Sequence, residues 1–128
     1  MKMLAAALFS LTAAAAESPP LIVHYNDRAP HHYTKQGVPQ GDAIVKVTAA
    51  LKAANIPYEL RNTPAKRQLV LLKVNEQPAC MLAWVDLPGR ERTGKFSEVI
   101  YDDRRLWCTL ATPDETMRRL NGVLLRKP

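Results

Sequence analysis

Residues Pro57 to Val85 read PYELRNTPAKRQLVLLKVNEQPACMLAWV, and they contain a complete strand, helix and strand. Pro57-Tyr58-Glu59-Leu60-Arg61 alternates in character, the period of a half-buried strand. Asn62-Thr63-Pro64 then marks a helix start, with Thr63 as cap and Pro64 at the first helical position, where its missing N–H is no loss. That helix runs through Leu69, Leu72 and Lys73, and the apolar run Ala79 to Val85 predicts the next strand. Upstream, Leu21-Ile22-Val23-His24-Tyr25, bounded by Pro19-Pro20 and Asn26-Asp27, predicts an opening strand. The segment from Ala29 to Gly41 is punctuated by prolines and glycines and reads as loop or hairpin. Ile44, Val47, Thr48, Leu51 and Ala54 then recur at helical spacing, with Asp42 placed to cap the first turn. Downstream, Asp86 to Asp103 reads as irregular and Arg105 to Ala111 as a fourth strand. Thr112-Pro113-Asp114-Glu115 has the form of a capping box, and Met117, Leu120 and Leu124 line one face of the helix it opens. Strand, helix, strand, helix, strand predicts an α/β fold: a mostly parallel sheet flanked by helices, joined by right-handed crossovers.

The opening residues, MKMLAAALFSLTAAAA, carry a basic start at Lys2, an apolar core from Met3 to Leu11 and a small-residue run to Ala16. This is the layout of a cleaved secretory signal over residues 1–16 and predicts a periplasmic or secreted protein. The apolar stretch is too short for the roughly 20 residues a membrane-spanning helix needs. The roughly 110 residues that follow fit one small domain with one core.

A formal net charge of +6 suits an anionic partner without naming one. The basic residues are scattered and no aromatics are interleaved among them, so a nucleic-acid platform is not expected. Cys80 and Cys108 each lie in an apolar run read as strand. They form a disulfide if those strands are neighbours; two buried free thiols are the alternative. Neither has the spacing of a metal or redox motif. His24, His31 and His32 with Asp27 lack the companion acids of a metal or acid/base site, so no metal, no cofactor and no enzymatic activity are expected.

Ordered features beyond these carry a family likeness. They are the leader, Leu21-Ile22-Val23 as opening strand, an aromatic-bearing loop, Gly41-Asp42 leading into a helix, and Thr63-Pro64-Ala65-Lys66-Arg67 opening the next. Then come Pro88-Gly89-Arg90 six residues before Phe96-Ser97, followed by Val99-Ile100-Tyr101. In this order the chain resembles the first lobe of the family 3 extracellular solute-binding proteins, periplasmic receptors for polar amino acids. The likeness covers about Leu21 to Ala111. It implies a single lobe of the periplasmic binding protein type 2 fold over 17–111, with 112–128 beginning a second, truncated lobe. It also implies a small carboxylate-bearing ligand such as an amino acid, and a membrane transporter of the ABC type as partner. Arg90 is the arginine that grips the ligand carboxylate, since a guanidinium fork meets both oxygens and ligands sit at strand ends of an open α/β sheet. Arg67, Tyr25, Tyr33 and Trp84 are the other ligand-binding candidates, and Arg92 is expected to face solvent. Two positions depart from the family pattern: Val85 stands where a Ser or Thr is usual, and Pro78-Ala79 where an Asp is usual. The other readings of the chain are a one-lobe module that binds a partner protein or a second copy, and a fragment without a ligand.

Overall fold

The computed structural model describes residues 19–126, so the leader expected over 1–16 lies outside the described residues. The main sheet has five strands, β1 (Leu21–Tyr25), β4 (Tyr58–Asn62), β5 (Ala79–Val85), β6 (Gly94–Tyr101) and β7 (Arg104–Thr109), in the order β4-β1-β5-β7-β6. β1 pairs in parallel with β4 and β5, while β7 runs antiparallel between β5 and β6, so every strand but β7 points the same way. The mostly parallel α/β sheet expected from the alternating elements is what forms. A hairpin of β2 (Tyr33–Lys35) and β3 (Val38–Gln40) follows β1. Helices α1 (Asp42–Ala53) and α3 (Asp114–Leu124) cover one face of the sheet and α2 (Ala65–Val74) the other.

Side-chain alternation along the strands separates two cores. Leu21, Val23 and Tyr25 of β1 point with Cys80, Leu82, Leu106 and Cys108 toward α1 and α3. Ile22 points with Met81 and Trp107 toward α2. On β5 the alternation breaks. Ala83 adopts φ 75° at a register shift between Leu82 and Trp84, a β-bulge with an L-residue in the left-handed region. Leu82 and Ala83 therefore both join the α1 side, and Trp84 is turned to the α2 side, where strict alternation would not have placed it.

The structure corrects four details of the sequence reading. α1 is capped by Gly41, not Asp42; a Cβ at Gly41 would collide with the His31 carbonyl, and Asp42 instead accepts a hydrogen bond from His31 Nδ1 (2.9 Å). α2 begins one residue later than expected, with Pro64 as N-cap and the Thr63 hydroxyl turned to His24. β6 falls in the stretch read as irregular. Two register shifts against β7 break its period of two, so that Gly94, Ser97 and Ile100 are the buried positions and no alternation is left in the sequence. The tail helix expected to begin a second lobe is part of this one. Met117 and Leu120 of α3 are buried in the core with Leu82 and Leu106, and the Arg119 guanidinium donates to the Ala54 and Asn55 carbonyls at the end of α1. An amphipathic helix that covers this much apolar surface is held where that surface lies.

Cys80 and Cys108 face each other across β5 and β7, are fully buried and form a disulfide. The bridge closes a loop with a sequence separation of 28. Replacing both cysteines by alanine is expected to lower the stability measured by urea unfolding by about 3 to 4 kcal/mol. An unchanged midpoint would contradict a stabilising role for the bridge. Because Ala83 sits at positive φ, Ala83→Gly is expected to raise the melting temperature, by up to about 1 kcal/mol in stability. A fall would mean that the alanine methyl contributes more in packing than its backbone conformation costs.

Candidate functional site

The parallel strands end together at Tyr25, Asn62, Val85 and Tyr101, and the loops and helix starts that follow them line one edge of the sheet. In an open α/β sheet this edge is where ligands bind. Arg90 is set there by the connection from β5 to β6, which makes one 3-10 turn, Arg90–Arg92. Its Nη1 donates to the Val85 carbonyl (2.7 Å), and its guanidinium carbon lies 5.3 Å from the Trp84 ring centroid and 5.4 Å from that of Trp107. Both distances are within the range of a cation–π contact. Phe96 stacks on the Trp107 ring at 5.3 Å with 7° between planes, so Arg90 rests on an aromatic floor built from β5, β6 and β7.

A hydrogen-bond chain anchors that floor to α2. The Trp84 indole Nε1 donates to Gln68 Oε1 (2.8 Å), and Gln68 Nε2 donates to the Thr63 carbonyl (2.8 Å). The Thr63 hydroxyl in turn meets His24 Nδ1 (2.7 Å). Gln68 and His24 are buried, at 1% and 4% exposure, so each polar group must find its partner within the protein. Burial, then the nearby Arg61 and Arg67 guanidiniums, lower the His24 pKa from the ordinary 6.5 to about 4, so the ring is neutral at neutral pH.

A second cluster occupies the same edge beyond β1. His32 is fully buried; its Nδ1–H donates to the Asn26 carbonyl (2.6 Å), which leaves Nε2 to accept from the Tyr101 hydroxyl (2.9 Å). His31 stacks on the Tyr101 ring with centroids 4.1 Å apart. Burial lowers the His32 pKa and raises that of Tyr101, which favours the neutral form of each.

Of the sequence candidates, the structure brings Arg90 and Trp84 into contact and places Arg67 one residue before Gln68 on the first turn of α2, exposed. Tyr33 lies on the β2–β3 hairpin, with its hydroxyl 3.5 Å from Gln40 Oε1. Arg92 is exposed. Tyr25 is corrected: it is 2% exposed, faces α1 and α3 because it follows His24 by one position on β1, and its hydroxyl is taken by Thr34 Oγ1 (2.6 Å). It belongs to the core and offers a ligand no surface. His24, Thr63, Gln68 and Trp107 are the members of the site that the sequence did not disclose. The one available signal was Gln68, a polar residue four before Leu72 on the buried face of α2.

A cavity of about 830 Å³ lies at the opposite edge, where the parallel strands begin. Pro19, Pro20, Pro57, Pro78 and Pro113 dominate its lining, and its charged group, Arg119, is already bound to the Ala54 and Asn55 carbonyls. The convergent polar chemistry lies at the other end, at the Arg90 edge.

A mostly parallel lobe of this topology, with polar side chains gathered at the strand ends, has the fold of one domain of a periplasmic binding protein. The chain is similar to domain 1 of TmArgBP in its arginine-bound form, with TM-score 0.63 and 13% identity over 81% of this chain and 90% of that one. A point mutant of the same domain gives TM-score 0.63 and 11% identity over 81% and 88%. The chain is also similar to ArtJ, the arginine-, lysine-, histidine-binding protein of the thermophilic bacterium Geobacillus stearothermophilus, with TM-score 0.56 and 23% identity over 62% of this chain. It spans about a third (35%) of the length of ArtJ. No protein-family model and no curated protein matches it.

The unfolded chain keeps the His24 imidazole near 6.5 while the folded chain holds it near 4, so between these values the unfolded state binds more protons. The stability contributed is complete above pH 6.5 and is lost as pH falls toward 4, on the order of 3 kcal/mol. Melting temperatures measured from pH 7 to pH 4 are expected to fall through this window, and to fall less in His24→Gln. An identical profile in the variant would show that His24 does not titrate there.

Proposed function

We propose that this chain is a secreted solute-binding lobe that takes a small carboxylate-bearing ligand, such as an amino acid, at the strand-end edge and hands it to a membrane transporter. The observation that carries this is Arg90. Its guanidinium is fixed at the end of β5 by one bond to the Val85 carbonyl and by the Trp84 and Trp107 rings. Among the described residues it has no carboxylate partner, which leaves most of its donors for a ligand. A charge that is held rigid and unpaired is preorganised for an anion, because little ordering entropy is left to lose on binding. Trp84 supplies the surface beneath, Arg67 lies on the neighbouring helix turn, and Tyr33 stands on the hairpin at the rim.

The arginine-bound domain 1 of TmArgBP supports a ligand on a lone lobe, since this chain covers 90% of that domain. The leader pattern supports export, and among the described residues no helix is long and apolar enough to cross a membrane. The second reading, a module that docks another protein or a second copy, is favoured by the outer face of α2, where Val70 and Val74 are 52% and 50% exposed.

Amino acids screened by thermal shift are expected to include at least one that stabilises the protein, and Arg90→Ala is expected to weaken that ligand by about tenfold or more. Arg90→Lys, which keeps the charge and loses the fork, should recover only part of the affinity. A ligand bound equally well by Arg90→Ala would remove Arg90 from the site. Self-association without any ligand response would favour the docking module.

A further inference from the structure

Guanidiniums gather at the strand-end edge. Arg61 stands opposite His24 on β4, and Arg67 on the first turn of α2. Arg104 opens β7 opposite Val85 and Tyr101, with its Nη1 on the Ala83 carbonyl (2.9 Å). Arg28 bridges to His32 in the loop after β1. With Arg90 these make five, and only Arg61 is neutralised, by Glu59 at 3.2 Å. Among the described residues the other four have no carboxylate within ion-pair distance. The acids of this edge are committed elsewhere or turned outward. Asp27 accepts from the Thr34 amide (3.2 Å) and Asn62 Nδ2 (2.9 Å), Asp42 from His31 Nδ1 (2.9 Å) and Glu91 from the Gly89 amide (2.9 Å), and Asp86, Asp102 and Asp103 are exposed.

Two buried imidazoles register the sign of this field. Beyond the effect of burial, Arg61 and Arg67 both drive His24 toward its neutral form, and Arg28, His31 and Arg104 do the same to His32. No carboxylate acts on either ring in the other direction. A positive potential of this kind attracts anions and repels a cationic side chain.

We infer that the ligand of this crevice bears two carboxylates, one on the Arg90 fork and the second facing Arg67, and that cationic amino acids are selected against. This rests on the reading of Arg90 as the carboxylate grip, and it sets this chain apart from the arginine-bound TmArgBP domain. The second carboxylate could belong to an acidic amino acid or to a plain dicarboxylate; the two share the chemistry that Arg90 and Arg67 recognise.

The test is calorimetric titration of the purified protein, at low ionic strength, with L-glutamate, glutarate, L-alanine and L-arginine. L-Glutamate or glutarate is expected to bind about tenfold or more tightly than L-alanine, with L-arginine weakest. Arg67→Gln should reduce that preference about fivefold without moving the melting temperature, since the side chain is exposed, and Arg67→Lys should restore it. Glutarate equal to L-glutamate would mean that no amine is read, and preference for L-glutamate that one is; in both cases the requirement for two carboxylates holds. L-Arginine or L-alanine binding as tightly as L-glutamate would overturn the inference while leaving the carboxylate grip in place. If none of the four binds, the inference and the reading beneath it both fall.

Discussion

The Ala83 carbonyl accepts a hydrogen bond from Arg104, and that bond helps hold β5 in the bulge on which the site depends. The alanine is strained, in a region that L-residues avoid, and such strain persists only where the surroundings over-determine it. What it achieves is a change of face. Trp84 leaves the α1 side, brings its indole N–H to Gln68 and presents its ring beneath Arg90. With strict alternation Trp84 would join the opposite core, Gln68 would keep a buried acceptor without its donor, and Arg90 would lose half of its aromatic floor.

Around that bulge the molecule divides its labour between two faces. The α1 and α3 side is the larger apolar core, closed by Tyr25, Leu82, Leu106 and Leu120 and pinned across β5 and β7 by the Cys80–Cys108 bridge. The α2 side is smaller and mixed, with His24, Thr63 and Gln68 buried among Ile22, Met81 and Trp107. Polar groups this deep raise the demand for exact partners and define one arrangement where a purely apolar face would tolerate several. The side chains of the candidate site are mounted on this less forgiving face. Their positions follow from α2, whose Gln68 side chain reaches the Thr63 carbonyl on one side and the Trp84 indole on the other.

How much of this was legible depends on which period a segment kept. β1 and β5 were readable as short continuous apolar runs, and α1 and α2 because their apolar residues recur at helical spacing. β6 was not, because its shifts against β7 bury every third residue, a period that belongs to no regular strand. The three helix starts were found, but each was displaced by about a residue, because Asp42, Thr63 and Thr112 are cap-forming types that spend their side chains on His31, His24 and the Ala79 backbone. The place of Arg90 just past β5 was legible from its distance to Phe96-Ser97. Tyr25 was misassigned because sequence does not reveal that the residue after His24 must point into the opposite core.

What the sequence by itself determined is the alternation of strands and helices, hence a mostly parallel α/β lobe, and the presence of an arginine just past the third parallel-running strand. Both follow from local periodicity and turn chemistry, which neighbouring residues along the chain carry among themselves. Tertiary structure alone decided that Trp84 changes face, that Gln68 joins α2 to β5, that α3 completes this core, and that four guanidiniums at one edge have no carboxylate partner among the described residues. Each of these is a relation between residues far apart in sequence, fixed by sheet register and by the need of buried polar groups for partners, and no local pattern encodes it.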